Sequence, residues 1–169
     1  MKWDIGKRSR RLQVWGALCA FIACLLAAAP GWAQKQPNFS GRWNLNLEKS
    51  ELGPMPKPDS GQYVIRHAGA NLTLDYTQDG KTTHAEITTD GEERVTDSNP
   101  DTEIWTRVYW AGPVLVFESR QKARPAHESQ GIKWTSRWSL SDDGKTLALQ
   151  KHFTTPDGEF DQKLLFDKQ

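Results

Sequence analysis

Asn38-Phe39-Ser40-Gly41-Arg42-Trp43-Asn44-Leu45-Asn46-Leu47 is the stretch whose reading decides the fold. From Gly41 onward apolar and polar side chains alternate. Trp43, Leu45 and Leu47 share one face; Arg42, Asn44, Asn46 and Glu48 share the other. A period of two is the mark of a half-buried strand, because successive side chains point to opposite faces. Gly41, just ahead of the indole, marks a close backbone approach or a tight bend. The segment reads as a first strand with a buried tryptophan at its start.

Outward from it, the same alternation recurs. A loop over residues 48–60 carries Pro54, Pro56 and Pro58, whose spacing favours an extended, helix-free connection. Strands are expected over 62–66 and 71–78, then Asp79-Gly80 as a two-residue hairpin turn, then 81–89. Asp90-Gly91 is a second turn before a short strand near 93–96, and Pro100 lies in a loop. Residues 103–110 are rich in β-formers but apolar on both faces, so their inward face is ambiguous. Gly112-Pro113 leads to a strand over 114–121. Residues 122–131 are a polar loop, and 132–140 alternate with Ile132, Trp134, Trp138 and Leu140 on one face. Strands over 145–153 and 159–167 flank the Pro156-Asp157-Gly158 turn.

These add up to an all-β domain, an antiparallel up-and-down β-barrel of eight to ten strands. A meander of this length either closes or splits into two sheets, and the sequence leaves both open; closure removes edges that invite aggregation. The fragment Phe39-x-Gly41-x-Trp43-x-Leu45 resembles the opening motif of the lipocalin and fatty-acid-binding protein superfamily, the calycins. The stretch from Arg137 to Leu147 resembles exported, lipocalin-like bacterial proteins of uncharacterised function. The resemblance implies that Gly41 and Trp43 form a structural plug at one end of the barrel, with a late basic residue, Arg137 or Lys163, covering the indole. It carries no known activity. The helix-turn-helix that fatty-acid-binding proteins insert after the first strand is missing, and so is their Arg-x-Tyr clamp on the last strand, which here reads Asp161-Gln162-Lys163-Leu164-Leu165-Phe166. Arg107-Val108-Tyr109 has that pattern on a mid-chain strand, and the role does not transfer to it.

Ahead of the domain, Lys2, Lys7, Arg8, Arg10 and Arg11 precede an apolar run from Leu12 to Ala29. This is the layout of a secretory signal, and Gly31-Trp32-Ala33 supplies the small residues that place a cut after Ala33. The expected organisation is a signal peptide over 1–33 and one lipocalin-like domain over 34–169, periplasmic or secreted. Ser9-Arg10-Arg11 resembles part of a twin-arginine signal, with Gln13 departing from it, so the export route stays open. The first 33 residues hold five of the 22 Lys+Arg and one of the 21 Asp+Glu, so the mature chain carries 17 against 20, a net charge of −3. That disfavours nucleic acid, which needs a basic face. Both cysteines, Cys19 and Cys24, lie in the signal, which removes disulfides and thiolate chemistry from the mature domain. The mature protein is expected to be a monomer, off the membrane once cleaved.

No nucleophile elbow, phosphate loop, dinucleotide fingerprint or His-Glu-x-x-His occurs, and His67, His84, His127 and His152 are scattered. No catalysis, cofactor or metal is expected. Five tryptophans remain after the signal. Trp134 and Trp138 share a face with Ser136 between them, a gap that suits an apolar guest; Tyr76, Ile87 and Leu149 are further lining residues. The expected function is non-catalytic binding of a small hydrophobic ligand inside the barrel, with inward faces almost wholly apolar. The alternative is an interaction or inhibitory module with a filled core, acting through the loops Leu52 to Ser60 and Lys122 to Gln130.

Overall fold

The computed structural model describes residues 36–123 and 131–169. The signal-like segment and His127 lie outside those residues, as does most of the second loop. Ten strands form: β1 (Gly41–Leu45), β2 (Gly61–Ala68), β3 (Asn71–Gln78), β4 (Lys81–Thr88), β5 (Glu93–Ser98), β6 (Thr102–Ala111), β7 (Val114–Ala123), β8 (Lys133–Leu140), β9 (Thr146–Thr155) and β10 (Gly158–Lys168). They make one antiparallel sheet in the order β4-β3-β2-β1-β10-β9-β8-β7-β6-β5. Consecutive strands are neighbours except at β4 and β5, and β1 meets β10, so the sheet curls into a nearly closed barrel rather than a two-sheet sandwich. Among the described residues no ladder joins β4 to β5. The β5 edge is exposed throughout and bulged between Val95 and Asp97, two features that discourage edge-to-edge pairing.

β1 is shorter than its alternation suggests. It stops at Leu45, and residues 47–49 form a turn in which the Asn46 side chain accepts the Lys49 amide at 3.1 Å. Ser50 then stands in for the interrupted strand: its hydroxyl donates to the Asn46 carbonyl at 2.6 Å and accepts the Leu165 amide at 3.0 Å. A bridge between Glu51 and Lys163 re-attaches the chain to β10. Asn46 competes with the ladder through its own side chain, as asparagine does near turns. No helix forms in residues 46–60.

Because the strands alternate in direction, one end of the barrel gathers residues 36–40 and the connections 69–70, 89–92, 112–113 and 141–145. This end is plugged. Phe39, Trp43, Leu72, Leu115, Leu147 and Phe166 are buried there to 1 % exposure or less. The Trp43 indole donates to the Phe39 carbonyl at 2.9 Å. Gly41 has φ of +148°, where L side chains are rare, and the indole folds back over it; a Cβ would lie 3.4 Å from Trp43 Nε1 and 3.1 Å from Lys168 Cε. The basic cover over Trp43 is Lys168, whose Nζ sits 5.1 Å from the ring centroid, and not Arg137 or Lys163. Arg137 is exposed and pairs with Val116 and Gln150 across the ladders, positions that face outward. His67 belongs to this end too. The Phe39 amide donates to its Nδ1 at 3.2 Å, which leaves Nε2 to donate to the Gly69 carbonyl at 3.1 Å.

Candidate functional site

The opposite half of the barrel is built differently. Along β9 the inward residues are Leu147, Leu149, Lys151 and Phe153, set opposite Phe166, Leu164, Gln162 and Phe160 of β10 and Leu140, Trp138, Ser136 and Trp134 of β8. A polar row, Ser136–Lys151–Gln162, thus crosses three neighbouring strands at one level. On the other wall Thr106 of β6 faces Ser119 of β7. The inward faces are therefore not wholly apolar: a belt of small and polar side chains divides the plugged half from the open half. Small side chains here also leave room. A cavity of about 320 Å³ lies inside this half, near the lower end of the ~300–1,000 Å³ typical of small-molecule sites. Tyr63, Leu74, Ile87, Phe117, Trp134 and Trp138 supply its apolar walls. It extends to Thr83, His84 and Asp97, that is, toward the unpaired β4 and β5 edges.

The polar groups around it fall into two kinds. Thr96, Thr106 and Ser119 form a chain of hydroxyls, 2.9 Å and 3.0 Å apart, that runs on from Thr96 to the Ile104 carbonyl at 3.5 Å. Each proton in that chain has an acceptor. Ser136 and Lys151 are unlike it. Ser136 Oγ accepts the Trp138 indole N–H at 2.9 Å, and its own proton has no acceptor among the described residues. Lys151 has neither an ion-pair nor a hydrogen-bond partner among them, and burial alone holds its ammonium below the usual lysine range. Burial likewise pushes the Tyr63 phenol up, with Tyr76 adding to it, and raises Tyr76, with Asp79 adding to it.

The structure brings Trp134, Ser136, Trp138 and Ile87 together on the cavity wall. Trp138 is 4 % exposed and packs 4.6 Å from Phe117 and 5.4 Å from Tyr63, centroid to centroid. Trp134 is half-buried and continues into an aromatic row with Phe153 and Phe160 at 6.4 Å and 4.7 Å. Leu149 does not line the cavity: it is fully buried in the plug, one inward position below Lys151. Tyr76 stacks on Tyr63 at 4.3 Å and fills the space beside Gly61, where a Cβ would lie 3.0 Å from its hydroxyl. Lys151, Thr106 and Ser119 were not anticipated. The signal for Lys151 is legible afterwards in Leu147-x-Leu149-x-Lys151-x-Phe153, where a lysine occupies an otherwise apolar face.

A larger concavity, about 480 Å³, lies on the outer wall across β6 to β9. Most of its charges already have partners: Arg107 and Tyr109 both hold Glu118, at 3.1 Å and 2.8 Å, and Arg120 holds Glu93. Arg107 and Tyr109 thus form an exterior cluster with Glu118 and no interior clamp, while Val108 between them points into the core. His84 and His152 also face outward, bonded to Asp75 and Asp161 at 2.6 Å and 2.8 Å. Among the described residues no group of three His, Cys, Asp or Glu is placed to hold a metal ion, and no helix is long and apolar enough to cross a membrane.

The chain matches no protein-family profile and no curated protein. Its fold is similar to several solved structures. A REP1-NXSQ fatty acid transporter superposes with a TM-score of 0.55 at 12 % identity, covering 77 % of this chain and 95 % of that one. Apo lipid binding protein 8 of Caenorhabditis elegans gives 0.55 at 16 % identity, covering 78 % and 95 %. The zebrafish ileal bile acid-binding protein complexed with cholic acid gives 0.53 at 13 % identity, covering 78 % and 98 %. At these identities the likeness is one of fold: an antiparallel, lipocalin-like β-barrel.

Proposed function

We propose that this protein is an exported, non-catalytic binding protein that holds one small hydrophobic molecule inside its barrel. The observation that carries the reading is the difference between the two halves: one is packed solid, while the other keeps about 320 Å³ walled by aromatic rings and reaching an unpaired strand gap. A filled-core interaction module would have no use for that space. The structures that share the fold include a fatty acid transporter and a bile acid-binding protein, which supports the same reading. Release of water from the walls, together with contact to Trp134, Trp138 and Phe117, would supply the affinity. Export rests on the charged and apolar segment before Pro30. An N-terminus at Gln34 in the processed protein would support it.

The reading is tested with N-phenyl-1-naphthylamine, an uncharged probe, by energy transfer from tryptophan. Saturable transfer is expected in the wild-type protein and a clear loss of it in a Trp134→Ala, Trp138→Ala variant that retains its β-sheet circular dichroism. Absence of saturable binding to the wild type overturns the proposal.

A further inference from the structure

We infer that the molecule held in the cavity is an amphipathic anion, buried head first, whose acidic group docks on Lys151 with the Ser136 hydroxyl as second donor. The inference rests on the binding role proposed above and adds the chemical class and orientation of the ligand. A lone ammonium inside a barrel is costly, because desolvation penalises the charged form and nothing returns the energy. The rest of the interior shows that the fold is able to satisfy polar groups there: the hydroxyl chain of Thr96, Thr106 and Ser119 ends on the Ile104 carbonyl. The Ser136–Lys151 pair has no such acceptor among the described residues. These two residues are directly opposed on β8 and β9, so both side chains enter the barrel at one level. Ser136 already accepts the Trp138 indole N–H, and its own proton is unclaimed among the described residues, so it has a donor to offer a guest. Two such donors without acceptors fit a carboxylate or similar oxyanion, which accepts at two oxygens. They do not fit a cation, and an uncharged hydrocarbon would leave both unsatisfied.

The neighbouring strands leave the charge available. Next to Lys151, β8 presents Ser136 and β10 presents Gln162, both neutral. The titratable groups elsewhere on the cavity wall are Tyr63, Asp97 and His84. Of these, His84 is bonded to Asp75 on the outer face, and Asp97 is not among the causes that shift Lys151. The apolar tail would then lie along Trp134 toward Phe153, or toward the β4–β5 gap.

The test is competition against bound N-phenyl-1-naphthylamine by decanoate and by 1-decanol, which share a chain length and differ in charge. Decanoate is expected to displace the probe from the wild type at least about tenfold more effectively than decanol at pH 7, the size of one charge-assisted hydrogen bond. Lys151→Met should erase that preference, and Lys151→Arg should restore part of it. Raising the pH toward the lowered lysine pKa should weaken decanoate and leave decanol unchanged, and Lys151→Met should abolish this dependence. If Lys151→Met binds the probe and still prefers decanoate as the wild type does, the docking role is overturned while the binding role stands. If the wild type binds the probe but shows no preference for decanoate, the anionic class is likewise overturned. If the wild type fails to bind the probe, both readings fall together.

Discussion

The two halves of the barrel share the same strands but follow opposite rules. In the plugged half every inward position is filled, and the polar atoms that enter it, such as the Trp43 indole N–H and both ring nitrogens of His67, are matched to backbone partners. In the open half the inward positions turn small or polar at Ser119, Ser136 and Lys151, and a cavity follows. The first half supplies stability through burial and dispersion. The second gives up some of both to keep a space and an unpaired charge. Solid packing and open space are thus separated along the barrel axis, with Ser136 at the border.

Substitutions on either side of that border should behave in opposite ways. Trp43→Ala removes the plug and should cost about 3–5 kcal/mol in urea unfolding. The decanoate preference of whatever protein remains folded should be unchanged, and a loss of preference would erase the distinction between the halves. Ser136→Ala leaves the Trp138 indole N–H without its acceptor and should cost roughly 1–3 kcal/mol. Lys151→Met should stabilise the empty protein, on the order of 1 kcal/mol, because an apolar side chain of similar length replaces a half-buried, desolvated charge. The sign with pH follows from linkage. The folded pKa of Lys151 lies below its ordinary 10.5, so the unfolded chain binds more protons between those two values. The destabilisation is complete below the folded pKa and is relieved as pH rises through it toward 10.5. The advantage of Lys151→Met should therefore shrink over that window, and a constant advantage would mean that Lys151 is not held charged in the barrel.

Much of this was legible from local pattern. Each of the ten strands answers to a segment expected to be extended, and Asp79-Gly80 forms the tight turn that its tolerance of positive φ suggests: Asp79 has φ of 49° and Gly80 of 80°. The common face of Trp134, Ser136 and Trp138 is readable for the same reason, although the Ser136 hydroxyl is bonded to the Trp138 indole. The early end of β1 was not, because the Asn46 side chain and Ser50 act through bonds to β10, more than a hundred residues away. The cover on Trp43 was misassigned to Arg137 or Lys163 because neighbours across the barrel seam depend on how β1 registers against β10. That register places Lys168 opposite Trp43.

By itself, then, the sequence determined the type of the elements, their approximate number and the two faces of most strands, since these follow from a period of two and from turn residues that act within a few positions; the tryptophan plug came only from the family resemblance of the opening motif. Tertiary structure alone decided closure through β1 and β10, the open seam between β4 and β5, and the meeting of Ser136, Lys151 and Gln162 in one row. Those features depend on the register between strands, and no single strand carries it. A lysine on an inward face becomes a site only when its neighbours on the adjoining strands are seen to leave it without a counter-charge.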